Sequence, residues 1–315
     1  MIKIIKLFTF LSLSVILTSC NLGDKNEPLL ISSNTWIGYE SLYITEKLDL
    51  MKGGIKVIRK QNATDVMALF EQGEVDVAGL TLDEAMIVMS HGTPLYFASV
   101  MDISNGADQL RVTPEIQSLK DLKGKNIGVE MTALGQLVLA SVLTDAALTQ
   151  NDITIVNSTV DQHLALIKDG SIDAAITFPP FSDGLSELGL SKLYDSTQMQ
   201  RSPIIDVLVI SENALKNKKE KIEELVNHLY TVNKMLVDKD PIAIKIAGEN
   251  LGIPEDMRMN MTEGVELVSK GLNTTYISRY KLEATMLTLE DVMLQNQLLD
   301  KAISDQITPN MFVRF

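Results

Sequence analysis

Residues 71–78, EQGEVDVA, and residues 168–175, KDGSIDAA, share one short pattern, and the predicted architecture depends on it. Each follows a helical pattern of apolar residues and contains a glycine, Gly73 or Gly170, at the point where that helix would end. Glycine suits this position because it readily adopts the positive φ with which many helices end. The residues after each glycine are β-formers, so both stretches predict the end of a helix and the start of a buried strand.

The repeated unit predicts two lobes of similar plan. Each copy closes its strand with a threonine, Thr81 in the first and Thr177 in the second, and the two glycines lie 97 positions apart (170 − 73). Chance is the alternative explanation, because Gly-x-aliphatic-Asp is a common junction between a helix and a strand. If the repeat is genuine, the chain folds as two α/β lobes.

Outside the repeat, strand patterns alternate with helix patterns. Predicted strands lie at residues 29–33, 55–59, 95–101, 126–130, 153–157, 172–177 and 204–211. Predicted helices lie at residues 40–50, from a cap at Asn62 or Thr64 to Gln72, after a capping box at residues 81–84, at 132–144 and at 161–168. From Glu212 the pattern is helical nearly to the end, with breaks at Pro241 and residues 252–254. This alternation favours mainly parallel sheets covered on both faces.

The amino end has the pattern of an export signal. Lys3 and Lys6 precede and interrupt an apolar run that is too short for a comfortable transmembrane helix, and residues 17–20 read LTSC. This ending resembles a bacterial lipobox, which predicts a signal peptide over residues 1–19, a lipid on Cys20 and a short tether over residues 20–28. An ordinary signal with a chance cysteine is the alternative. We expect the protein at the periplasmic or extracellular face of the cell envelope, held to a membrane by its lipid.

Composition excludes several classes of function. Without Lys3 and Lys6, 26 basic residues (28 − 2) face 41 acidic ones, a formal charge of −15, whereas nucleic acid binding needs clustered Lys and Arg. Cys20 is the only cysteine, so neither a disulfide nor a thiolate nucleophile is expected in the body of the protein. The three histidines, at positions 91, 163 and 228, lack the spacing of a zinc site. We predict no metal and no cofactor.

Four stretches, in this order along the chain, resemble one protein family. They are TWIGYE at residues 35–40, LFEQGEVDVA at 69–78, DLKGKNIGVE at 121–130 and IDVLV at 205–209. Together they resemble the nitrate/sulfonate/taurine substrate-binding proteins of ABC importers and their relatives that bind thiamine-precursor pyrimidines. Each motif alone is moderately specific, and the resemblance covers about residues 29–215.

The resemblance implies a type II periplasmic-binding fold with the ligand in a cleft between two lobes. One lobe would contain residues 29–108 plus 205–315 and the other residues 109–204, with two crossovers as the hinge. It also implies a small-molecule ligand and a membrane permease as partners. We expect a monomer.

The candidate ligand-binding residues lie in loops after the strands, where α/β sheets bind ligands. They are Trp36, Tyr39, Thr64, Thr81, Asp102, Glu130, Thr132, Thr177, Phe178 and Asp206. The family positions imply that Trp36 and Tyr39 cover the ligand, although Trp36 could also be core filler. Relatives often carry an aromatic or acidic residue before the proline that follows Phe178, and a phenylalanine there can only stack or pack.

Two chemistries are open for this site. Thr64, Thr81 and Thr132 are each good N-caps, and together they would aim three helix amino ends at one anion, such as a sulfonate or carboxylate. The carboxylates of Asp102, Glu130 and Asp206 would instead accept hydrogen bonds from an amine or aminopyrimidine. The alternatives are that they are solvated, or that Asp206 binds hinge amides.

An acidic cleft without a basic clamp favours a zwitterionic or amine-bearing solute, taurine-like or aminopyrimidine-like, over nitrate. Sensing is the second hypothesis, in which the protein signals to a membrane receptor instead of a permease. Catalysis is disfavoured, because the sequence has no Ser-His-Asp order, no metal spacing and no phosphate-binding loop.

Overall fold

The structure is a computed structural model, and it describes residues 27–131, 133–278 and 281–315. Across these ranges the strands are β1 Leu29–Ser33, β2 Ile55–Arg59, β3 Val77–Thr81, β4 Leu95–Ser104, β5 Gln109–Val112, β6 Asn126–Val129, β7 Thr154–Asn157, β8 Ala174–Thr177, β9 Ser191–Asp195, β10 Ile205–Ser211 and β11 Val265–Leu267. The helices are α1 Glu40–Lys47, α2 Ala63–Glu71, α3 Leu82–Ser90, α4 Ala133–Ala146, α5 His163–Lys168, α6 Phe181–Glu187, α7 Glu212–Asn217, α8 Lys219–Val237, α9 Pro241–Asn250, α10 Lys270–Asn273 and α11 Lys281–Gln295. The predicted signal peptide, Cys20 and Thr132 lie outside the described residues.

The strands form two mixed sheets. The first has the order β11-β4-β10-β3-β1-β2 and the second the order β7-β6-β8-β5-β9. β1 pairs in parallel with β2 and β3, and β6 pairs in parallel with β7 and β8, whereas β10 and β5 are antiparallel to both of their neighbours. The sheets are therefore mixed, where the sequence favoured mainly parallel ones. β10 and β5 each arrive directly from the other sheet, without the helical crossover that a parallel connection requires.

The repeat marks the same position in both sheets. Gly73 and Gly170 have φ angles of 72° and 75°, as expected at helix ends. Asp76, in the first copy, accepts a hydrogen bond at 3.0 Å from Leu30 N of β1. Asp173, in the second copy, accepts one at 2.8 Å from Asn126 N in the same manner. The predicted pair of lobes with one plan is confirmed.

Helices cover both faces of the first sheet, and the cores lie beneath them. On one face, Val66 of α2 and Met86 of α3 pack in a core with Phe97 of β4. On the other, Leu42 of α1 packs with Leu225 of α8 and their neighbours. β3, between these cores, is buried along its whole length, as its apolar sequence predicts.

The carboxyl-terminal region is helical, as predicted. α9 begins at Pro241, whose missing N–H is tolerated in a first turn, and Asp240 caps it by accepting hydrogen bonds from the amides of Ile242 and Ala243. Gly252 follows α9 with a φ of 67° and ends the helical run there. Within the described residues, we find no helix with the length and apolar character that crossing a membrane requires.

The chain crosses between the sheets twice, through residues 105–108 and 196–204, and the two crossings are bonded to each other. Ser196 Oγ lies 2.8 Å from Ser104 Oγ and accepts a hydrogen bond at 2.7 Å from Gly106 N. Ser196 N donates at 2.9 Å to the carbonyl oxygen of Asp108. The crossings thus form one connected structure between the lobes.

Candidate functional site

Three polar side chains lie side by side across the first sheet. Asp206 of β10 is the register partner of Thr81 on β3 and of Asp102 on β4. All three are buried, with exposed fractions of 5% for Thr81, 0% for Asp102 and 2% for Asp206. Directly opposed like charges destabilise a sheet, so two adjacent buried aspartates need a specific explanation.

Two aromatic residues from the turn after β1 bind these aspartates. The indole Nε1 of Trp36 donates to both carboxylate oxygens of Asp102, at 3.2 Å each. The hydroxyl of Tyr39 donates a short hydrogen bond to Asp206 Oδ1. The aspartates therefore bind the aromatic residues, and the hinge amides that the sequence offered for Asp206 are not its partners in the described hydrogen bonds.

Two glycines make room for this arrangement. A Cβ atom on Gly38 would lie 1.6 Å from Asp102 Oδ2, and a Cβ on Gly79 would lie 2.8 Å from the ring of Tyr39. Real Cβ atoms do not approach other atoms so closely, so any larger residue at position 38 would displace the Asp102 carboxylate.

The amino end of α3 adds two more buried carboxyl groups. The predicted capping box is present, and Glu84 Oε2 accepts a hydrogen bond at 2.9 Å from Thr81 N. Burial, reinforced by the neighbouring charge of Asp83, raises the pKa of Glu84 to about 8. Burial also raises the pKa of Asp83 to about 6.

A fifth acid, Asp108, comes from the first crossing. Burial raises its pKa to about 6, against a hydrogen bond with Ser104 that favours the charged form. Burial likewise raises the pKa of Asp102 to about 7. The pKa of Asp206 is raised by burial and then by the charge of Asp102. These groups hold their protons more tightly than exposed carboxyl groups do.

The second sheet closes the site with apolar side chains. Phe178 follows β8, and its ring meets that of Trp36 edge to face, with 5.4 Å between centroids and an interplanar angle of 87°. Leu134, in the first turn of α4, lies on the same side of the site. The Trp36–Phe178 contact joins the two lobes.

Between these groups lies a cavity of about 30 Å³, a volume close to that of one water molecule. It is lined by Asn34, Trp36, Tyr39, Thr81, Glu84, Asp108, Leu134, Phe178, Ile204 and Asp206. Both lobes and both crossings contribute, so entry of an organic molecule requires the lobes to separate.

Five of the ten predicted residues line this cavity: Trp36, Tyr39, Thr81, Phe178 and Asp206. Asp102 lies directly behind Trp36, and Thr177 is buried beside Phe178 at the end of β8. Glu130 is half-buried after β6, where the amide of Val160 donates a hydrogen bond to its carboxylate.

Thr64 differs from the prediction. It is exposed in the first turn of α2, and the N-cap is Asn62, whose side chain accepts a hydrogen bond from Asp65 N. Because Thr132 lies outside the described residues, Thr81 is the only member of the predicted trio of caps that the described site contains.

Five lining residues were absent from the predicted set: Asn34, Glu84, Asp108, Leu134 and Ile204. The sequence did identify Glu84, but as the capping partner of Thr81. Asn34 and Asp108 belong to the predicted strand-end loops, where nothing separated them from their solvated neighbours. Leu134 and Ile204 are apolar and resemble core residues. Only their positions, shortly after β6 and just before β10, could have marked them as lining residues.

The lining is acidic without any basic residue among the positions that the structure describes. None of Asp83, Glu84, Asp102, Asp108 and Asp206 belongs to an ion pair of the described chain. Arg111, the arginine closest to the predicted loops, lies on β5 and donates to the carbonyl oxygen of Leu190 at 3.3 Å.

Comparison with known proteins supports the family resemblance, and three of the four motifs, at residues 69–78, 121–130 and 205–209, lie within the matched range. Residues 50–230, more than half of the chain, match a family model described as NMT1/THI5 like. No curated protein sequence is detectably similar to the chain. The resemblance to substrate-binding proteins is thereby confirmed at the level of the family.

Solved structures give the same fold. The alkanesulfonate-binding protein SsuA from Xanthomonas axonopodis pv. citri, bound to MOPS, has a TM-score of 0.70 at 17% identity, over 87% of this chain and 95% of that one. The periplasmic aliphatic sulphonate-binding protein SsuA from Escherichia coli has a TM-score of 0.71 at 15% identity, over 91% and 99%. The ligand-binding component of an ABC-type import system from Staphylococcus aureus, with zinc bound, has a TM-score of 0.72 at 14% identity, over 91% and 98%. The two-lobed periplasmic-binding fold is confirmed.

Proposed function

Because the chain belongs to the NMT1/THI5-like family, we propose that it is an extracytoplasmic solute-binding protein that captures a small organic solute and delivers it to an ABC importer. The observation that carries the proposal is the cavity between the lobes, which aromatic and carboxyl side chains line together. The solved relatives with this fold include sulfonate-binding proteins and a component of an ABC-type import system.

In this proposal the lobes are residues 29–108 plus 205–315 and residues 109–204, and they close on the solute. The bonded crossings at residues 105–108 and 196–204 are suited to act as the hinge, because they are the covalent links between the two sheets. Trp36 and Phe178 approach each other when the lobes close, so their contact reports the closed state.

Lipidation of Cys20 would keep the protein close to its permease. A tether raises the effective concentration of one partner near the other without a new contact. The proposal places the protein on the outer side of a membrane, consistent with the signal pattern of residues 1–20.

Sensing remains the second candidate, with the same captured solute and a membrane receptor in place of the permease. A catalytic role has less support, since the cavity lining includes no lysine, histidine or cysteine among the described positions. The proposed function includes capture of either class of solute, sulfonate-like or aminopyrimidine-like.

Fluorescence of Trp36 tests the function, because Trp36 is the only tryptophan of the chain. We expect titration of the detergent-purified full chain with sulfonates, amines and aminopyrimidines to give a saturable change in emission for at least one of them. The change follows from the position of the indole in the cavity and against Phe178.

Calorimetric titration of the same solutes is the control. Heat of binding with an unchanged emission spectrum would remove Trp36 from the site. Absence of binding for every solute, by both methods, contradicts the proposed function.

A further inference from the structure

We propose that this site selects a small organic cation, a protonated amine or amidinium that carries no anionic group. This inference rests on the proposed function and narrows it, because it excludes sulfonates and zwitterions such as taurine. Three features around the cavity support it: the buried acids, the amino end of α3 and the aromatic side chains.

The first argument is the number of buried acids without a counter-charge. Exposed fractions are 1% for Asp83, 3% for Glu84, 0% for Asp102, 4% for Asp108 and 2% for Asp206. Burying even one carboxylate without a partner is costly. A cation in the cavity would supply the counter-charge that no described lysine or arginine provides.

The same chain shows how it treats a buried acid that has no binding role. Glu40 is fully buried, and it receives Arg59 Nη2 at 2.6 Å and Asn250 Nδ2 at 2.9 Å. Asp76, also largely buried, has Lys218 Nζ at 2.7 Å. Glu40 and Asp76 each have their own cation, whereas Glu84, Asp108 and Asp206, the acids that line the cavity, have none among the described ion pairs. Glu290, a buried acid outside the cavity lining, also has no cation and accepts hydrogen bonds from the amides of Ile303 and Ser304.

The amino end of α3, where a helix could bind an anion, is already occupied by side chains of the protein. A helix amino end can bind a sulfonate or carboxylate through its free amides. At α3 the chain itself fills that position, because the Asp83 carboxylate accepts hydrogen bonds from the amides of Asp83 and Glu84. Glu84 Oε2, in the same turn, accepts from Thr81 N at 2.9 Å. An anionic group placed there would meet two carboxyl groups instead of free amides.

The third argument is the aromatic wall. Trp36, Tyr39 and Phe178 line the cavity that the carboxyl groups share. Aromatic faces attract cations, and the attraction grows when both are removed from water. Carboxylates with aromatic walls are the combination that an alkylammonium or amidinium group requires.

A metal ion fits this site less well than an organic cation. No group of three or more His, Cys, Asp or Glu among the described residues is arranged to hold a metal. Hard cations such as Ca²⁺ require six or more oxygen ligands, whereas one wall of this cavity is apolar.

Thermal-shift and calorimetric titration of the full chain in detergent, at about pH 8, test the inference with matched probes. The cations are ethanolamine, a tetraalkylammonium, spermidine and benzamidine. The matched anions are isethionate and benzenesulfonate, and the matched zwitterion is taurine. We expect at least one cation to stabilise the chain and to bind at least 10-fold more tightly than any anion or zwitterion.

Variants assign the binding to the site. Asp102→Asn keeps an acceptor for Trp36 Nε1 but removes the charge, so it should weaken cation binding by at least 10-fold. Asp108→Asn is the second variant if Asp102→Asn fails to fold. Asp300→Asn removes an exposed charge and should bind as the unaltered chain does.

The possible outcomes distinguish failure of this inference from failure of the proposed function. A sulfonate or taurine that binds as tightly as the cations, and loses binding in Trp36→Ala, refutes the inference and leaves the solute-binding function standing. Failure of all probes to bind contradicts both. Equal weakening by Asp300→Asn refutes the assignment to this site.

Discussion

Asp206→Asn is expected to weaken cation binding by about 100-fold and, at about pH 8, to raise the melting temperature of the ligand-free protein. Truncating one member of a buried charge pair costs about 2–5 kcal/mol of binding free energy, and about 2.7 kcal/mol corresponds to 100-fold. The asparagine oxygen still accepts the Tyr39 hydroxyl proton, so the local geometry is retained.

The gain in stability arises in the ligand-free protein, where no cation is bound beside the carboxyl groups. In the ligand-free protein Asp206 and Asp102 lie side by side and buried without a cation, and burial followed by the charge of Asp102 raises the pKa of Asp206. The substitution removes a group whose raised pKa costs folding free energy above its ordinary pKa. Calorimetric titration and differential scanning calorimetry measure the two effects.

Asp300→Asn is the matched control, since it removes an exposed charge and should change neither quantity. A variant at position 206 that is destabilised at about pH 8 while retaining affinity would show that the carboxylate is structural.

The ligand-free protein is also expected to lose stability as pH rises from about 5 to about 8. Asp83 and Asp108 have their pKa raised to about 6, Asp102 to about 7 and Glu84 to about 8, above the ordinary values of 3.8 and 4.5. The folded state therefore binds more protons than the unfolded state in this window. The corresponding stabilisation is complete below about pH 4 and is lost as pH rises through these folded-state values.

The size of this loss of stability depends on the charges and hydrogen-bonding groups around the buried acids. Glu130 of the second lobe adds its charge to that acting on Glu84, and the hydroxyl of Tyr39 stays protonated because burial raises its pKa. The pKa values of Asp83, Asp108, Asp102 and Glu84 all lie above the ordinary carboxyl values, so the four groups act on stability in the same direction. Several degrees of melting temperature should be lost.

Melting curves at half-unit pH intervals measure this effect, with and without a saturating cation. The bound cation favours the ionised carboxylates, so it should flatten the decline. Glu84→Gln combined with Asp102→Asn should flatten it without ligand. A melting temperature that rises steadily from about pH 5 to about pH 8 contradicts the account.

Much of the fold follows from local sequence. β1 and β2 have the predicted bounds, since each begins with β-forming aliphatic residues. The repeat predicted two lobes of one plan, and the structure adds that Asp76 and Asp173 accept equivalent backbone hydrogen bonds in the two lobes. Three strands were missed, β5, β9 and β11, which are short and carry polar residues.

The mixed character of the sheets depends on long-range pairing. β10 looks like any apolar strand, and only its partners β3 and β4 show that it enters antiparallel. Local pattern gives no information on which neighbour a strand will choose.

The sequence predicted those residues of the site that lie near the ends of strands. Trp36, Tyr39, Thr81 and Phe178 line the cavity because each follows or ends a strand, and Asp206 lines it from the start of β10. Thr64 has the same sequence setting, but the first turn of α2 leaves it exposed. The cluster of acids was not predictable, since Glu84 comes from a helix and Asp108 from a crossing, and tertiary folding brings them together.

Mass spectrometry of the small molecule released from the full chain, purified from its own host alongside Asp206→Asn, identifies the bound solute. The account predicts one positively charged organic molecule, an amine or amidine without an acidic group, in stoichiometric amount, and its loss from Asp206→Asn. A sulfonate or carboxylate released in equal amounts from both proteins would contradict it.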